Sequence, residues 1–85
     1  MIAGTVIGEV WATRKAEGLS GRRLVIVAVR GEDRAIVAVD TLEARRGQEV
    51  LVALGSGARN VLSPGPGNRA LLCDAAVALL VDGEA

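Results

Sequence analysis

Residues 55–60 read Gly-Ser-Gly-Ala-Arg-Asn, between the apolar run Val50-Leu51-Val52-Ala53-Leu54 and a Ser-Pro-Gly-Pro-Gly-Asn stretch at 63–68. Glycine, serine and arginine this close together are the ingredients of an anion cradle, in which several backbone N–H groups converge at a helix N-terminus beside a cation. The spacing matches neither specified phosphate loop: no G-x-x-x-x-G-K-[ST] occurs, and no G-x-G-x-x-G joins a strand to a long helix. A tight turn leading from a strand into a short helix is the first reading, with an anion or nucleotide cradle as the alternative. Elsewhere the means of catalysis are sparse. There is no histidine, and Cys73 is the lone thiol, which removes imidazole bases, ordinary zinc sites and Cys-His or Ser-His nucleophiles. Asp40, Asp74 and Asp82 lie beside apolar strands and are the carboxylates left for acid/base work. Acids at strand ends more often accept from backbone amides or pair with arginine, so no enzyme, metal or cofactor is expected.

The composition limits what these residues can be placed on. With 85 residues, 51% of them hydrophobic, the chain reads as one globular domain over residues 1–85, with limited stability from its own core. No apolar run is long enough to span a bilayer. The start, Met-Ile-Ala-Gly-Thr-Val-Ile-Gly, lacks the basic lead and continuous apolar segment of a signal peptide, and a single cysteine cannot close an internal disulfide; both point to the cytoplasm. Ala, Val, Leu and Ile supply nearly all the apolar content, and Trp11 is the one aromatic residue. Ten basic and ten acidic residues cancel, and Lys15 is the only base that is not arginine. Arginine suits planar contacts with carboxylates and carbonyls, so salt bridges between molecules are expected in place of a phosphate-seeking face.

The elements that would hold these residues are mostly strands. Residues 2–14 read as a long bent strand, in which Gly4 and Gly8 mark a bend, bulge or close backbone approach. A loop with Gly18 and Gly21 follows. Arg23–Arg30 and Arg34–Asp40 then flank Gly31-Glu32-Asp33 as a hairpin. Glu49–Leu54 is a further strand, 58–62 a short helical turn, 63–68 a loop, and 74–81 a closing element that could be strand or helix. The hairpin carries an anomaly. A strand with one solvated face alternates apolar and polar, yet Leu-Val-Ile-Val-Ala-Val and Ala-Ile-Val-Ala-Val are apolar throughout. No long amphipathic helix exists to cover a second face. A small barrel can use one face as its core; the other must then meet another subunit, which predicts an obligate homo-oligomer.

A small barrel with one helix is also the shape of the oligonucleotide-binding fold, but that use needs a cationic groove and several stacking aromatics. One tryptophan and zero net charge do not provide them, and the pairs Arg22/Arg23 and Arg45/Arg46 read as a solvated rim. Nucleic-acid binding is not expected.

Several motifs occur in an order that is more specific than any one of them. Gly4-Thr5-Val6 opens the chain; Gly18-Leu19 precedes Leu24-Val25-Ile26-Val27; Val37-Ala38-Val39-Asp40 follows; Val50-Leu51-Val52-Ala53-Leu54-Gly55-Ser56-Gly57-Ala58-Arg59-Asn60 is the most specific; and Leu72-Cys73-Asp74-Ala75-Ala76-Val77-Ala78-Leu79-Leu80-Val81-Asp82 closes. From about residue 2 to residue 82 this resembles the EutN/CcmL family, the pentameric vertex proteins of bacterial microcompartment shells. The resemblance implies a mostly β fold, a small five-stranded barrel of oligonucleotide-binding type with one short helix, assembled as a cyclic homopentamer. It implies a structural role at the vertices of a polyhedral shell otherwise tiled by hexameric shell proteins, in the cytoplasm. The alternative is an oligomeric barrel binding a small anion, nucleotide or single-stranded nucleic acid. Gly55, Ser56 and Gly57 are then candidates for the loop that converges on the five-fold axis, and Arg59, Asp40 and Asp74 for a network at the subunit interface. Three departures from the family pattern stand out. The hairpin turn is short, the chain ends soon after Asp82, and Asp40-Thr41-Leu42-Glu43-Ala44-Arg45 replaces a connection that usually reads D-x-x-G-A-G.

Overall fold

Branched aliphatic side chains on paired strands favour a sheet, and a sheet this small removes its own edges by closing on itself. The computed structural model describes residues 1–11, 21–62 and 74–82. They form β1 (Ile2–Val10), β2 (Arg23–Val29), β3 (Ala35–Asp40), β4 (Glu49–Leu54), α1 (Ser56–Leu62) and β5 (Ala75–Leu80). The strands close into a barrel in the order β1-β2-β3-β5-β4. Neighbours are antiparallel, except that β3 meets β5 in parallel at the pair Val39 and Ala76. The expected mostly β barrel with one short helix is therefore present. The loop at Gly18-Leu19, the 63–68 stretch and Leu72-Cys73 lie outside the described residues.

The ambiguous closing run is a strand. Asp74 is its lead-in, and Ala75–Leu80 pairs with β4 from Leu54 back to Val50. A lone short apolar run has no period to decide between strand and helix; the free edge of β4 decides it.

The interior is built of valine. Val6, Val25, Val27, Val50, Val52 and Val77 are essentially inaccessible, and Ala38, Ala44 and Ala75 complete the cluster. On β2 the alternation is regular: Val25, Val27 and Val29 point inward, while Leu24, Ile26 and Ala28 lie half-buried on the outside. Outside the barrel, α1 rests on β4 and β5. Ala58 is its buried residue, and Ala53 and Ala76, paired across the two strands, are buried as well. Alanine lets a helix approach a sheet closely.

Closure needs bends, and both glycines of β1 serve it. The β1–β2 register shifts between Val6 and Gly8, leaving Ile7 as the extra residue, and the β4–β5 register shifts between Leu51 and Val52. Such irregularities increase local twist and let few strands curl into a barrel. Gly4 is a close approach: a Cβ there would lie 2.5 Å from the Ala28 carbonyl oxygen and 2.5 Å from Val27 Cγ1. Because one of these atoms is backbone, the strands would have to separate. Gly4→Ala is expected to lower the unfolding free energy by about 1–3 kcal/mol, the range for overpacking a tight site. Urea denaturation measures it, and an unchanged midpoint would show that the two strands are not this close.

Candidate functional site

The strand-to-helix turn comes first, because its residues were the ones that suggested chemistry. β4 ends at Leu54, and Gly55 takes a left-handed conformation, φ 59°. That conformation suits glycine and lets the chain reverse into α1. The Gly55 N–H donates to the Asp74 carbonyl at 2.7 Å, and the Ala58 N–H donates to the Gly55 carbonyl at 3.1 Å. Neither of these two amides is open to an anion. The turn is thus a hinge that ties the start of α1 to the residue before β5.

Gly55, Ser56 and Gly57 are exposed together at this turn. Gly57 is helical without a positive φ, and a Cβ there would meet nothing within 4 Å. Glycine inside a helix costs roughly 0.5–1 kcal/mol relative to alanine, and nothing among the described residues requires it. Arg59 is half-buried, and Asp74 is exposed. Neither side chain makes a hydrogen bond or ion pair among the described residues. The sequence thus places on one turn two polar groups and a glycine that the isolated chain does not use.

Asp40 is different. It ends β3, is 4% exposed, and has every oxygen occupied. Oδ1 accepts from the Leu42 N–H at 2.8 Å, Oδ2 accepts from the Ala44 N–H at 2.8 Å, and Oδ2 also accepts from Arg23 Nη1. Arg23 Nε in turn donates to Glu9 Oε1 at 3.0 Å. The network joins β1, β2 and β3 at one end of the barrel. Arg23, read from the sequence as part of a solvated rim, stands on the inward-facing register of β2 with Val25 and Val27. Two-residue alternation counted back from Val25 is the signal that finds it. Asp40, Asp74 and Asp82 do not form an acid/base pair: Asp40 is committed to Arg23, and the length of β5 separates Asp74 from Asp82. No group of acidic residues able to hold a metal occurs among the described residues.

The connection from β3 to β4 keeps the conformation that a glycine would favour. Glu43 has φ 59°, the only non-glycine residue with a positive φ among those described, whereas Arg45 does not. Of the two glycines missing from the family pattern, only the one at position 43 has a steric reason to be glycine.

The remaining feature is the barrel's exterior. Ile7, Val37, Leu42, Leu54, Val61 and Leu79 are each 39–50% exposed. The doubly apolar hairpin thus fills the core with one face and presents Ile26 opposite Val37 on the other.

Comparison with known proteins agrees with this picture. The sequence model of the EutN_CcmL family, described as ethanolamine utilisation protein EutN/carboxysome, matches residues 1–82. The chain is 41% identical over 88 residues to the bacterial microcompartment shell vertex protein GrpN of Rhodospirillum rubrum (strain F11), covering 96% of this chain and 93% of that one. Among solved structures, the GrpN pentameric microcompartment shell protein from Rhodospirillum rubrum superposes with a TM-score of 0.80 at 38% identity, covering 98% of this chain and 96% of the other. The pentameric shell protein of the RMM microcompartment superposes with a TM-score of 0.80 at 32% identity, covering 95% and 100%.

The left-handed Glu43 supplies a test of the connection. A non-glycine residue there bears a cost of roughly 1–2 kcal/mol, partly offset in a glycine variant by the larger entropy of its unfolded chain. Glu43→Gly is expected to raise the unfolding free energy by about 0.5–1 kcal/mol, read from a chemical denaturation curve; a lower midpoint would refute the left-handed assignment.

Proposed function

The chain belongs to the EutN/CcmL family, and on that premise we propose that it is a structural protein, a homopentamer that occupies the vertices of a bacterial microcompartment shell. The single observation that carries this reading is the near full-length match to a shell vertex protein at 41% identity. Its role is architectural, with no reaction to catalyse. A flat hexagonal sheet cannot enclose a volume; a five-fold ring introduces the curvature that closes it. We assign as its partners hexameric shell tiles, which would meet the rim of the pentamer, and as its location the shell itself inside the bacterial cell. The anion-binding alternative is not favoured, since two of the amides at the 55–58 turn, those of Gly55 and Ala58, are engaged within the chain.

Within the pentamer, Gly55, Ser56 and Gly57 are proposed to approach the five-fold axis. What supports this is the exposure of all three and a glycine at 57 that the isolated chain does not need. Five copies of a loop can converge only if its side chains are small. Arg59 and Asp74 are proposed to reach partners across the seam, since both side chains lack partners among the described residues. A half-buried guanidinium left without an acceptor is costly, and a carbonyl or carboxylate from the adjacent subunit would satisfy it. Asp40 supports the seam from within by fixing the connection between β3 and β4.

Native mass spectrometry of the purified chain should give a pentamer as the dominant species; a stable hexamer or a monomer alone would overturn the vertex assignment. Arg59→Ala should leave the barrel folded and move the pentamer-to-monomer midpoint to higher protein concentration by at least about tenfold, as expected for loss of a hydrogen bond to a charged group. An unmoved midpoint would remove Arg59 from the seam.

A further inference from the structure

We draw no further inference here: the strongest candidate, the edge of β3 that faces away from β2, where Val37 is 50% exposed and pairing with β5 among the described residues is limited to Val39 and Ala76, is a strand edge with nothing in the structure to show what covers it.

Discussion

The carboxylate of Asp40 is the point on which the barrel's geometry turns. A charge this deeply buried persists only when it is fully hydrogen-bonded, because desolvation would otherwise exceed any attraction it gains. Here the Arg23 guanidinium and two backbone N–H groups complete it. Each bond constrains a different part of the chain. Arg23 draws β2 to the end of β3 and, through Glu9, brings in the far end of β1. The amides of Leu42 and Ala44 bend the connection back toward the barrel and bury Ala44 in the core. The chain then reaches β1, where the Gly47 N–H donates to the Val6 carbonyl at 2.7 Å and the Val6 N–H donates to the Gln48 carbonyl at 2.9 Å. β4 can pair with β1 because the connection arrives there, and β5 then has an edge to join.

What such a barrel can do follows from the size of its side chains. The barrel's interior is filled by valine side chains, and alanines let α1 lie close against the outer sheet. The useful surface is on the outside, where apolar positions persist on strands whose inner faces already fill the core. Two-sided hydrophobicity on antiparallel strands destabilises a solvated monomer and favours a subunit covered by its neighbours. The molecule's contribution to a shell is shape and contact.

Much of this architecture is legible in the residues. The continuous apolar runs of β2 and β3 announce that both faces are covered, and Gly4 and Gly8 mark the close approach and the register shift that closure requires. The order of the motifs identifies the family. What the sequence hides are choices made by tertiary partners. Ala75–Leu80 has no period of its own and is a strand because β4 offers an edge. Arg23 looks like half of a surface pair with Arg22, yet strand alternation turns it inward to Asp40. Asp40, a seam candidate by sequence, also accepts bonds from Arg23, Leu42 and Ala44 of its own chain, which spacing along a sequence does not show. Glu43 holds a left-handed conformation that its residue type gives no hint of. The turn at 55–57 is visible in the sequence as glycine-rich, but two of its amides turn out to be satisfied by the chain itself.

Trp11 follows the last residue of β1 and is 85% exposed, in a chain with no tyrosine or phenylalanine. The core therefore contains no aromatic chromophore. Melting of the valine interior would be nearly invisible in ultraviolet absorbance or intrinsic fluorescence, which report only on one indole outside it. The same silence makes that indole a clean local beacon: its emission starts from a water-exposed value, and any surface that covers the end of β1 would shift it without interference from the rest of the molecule.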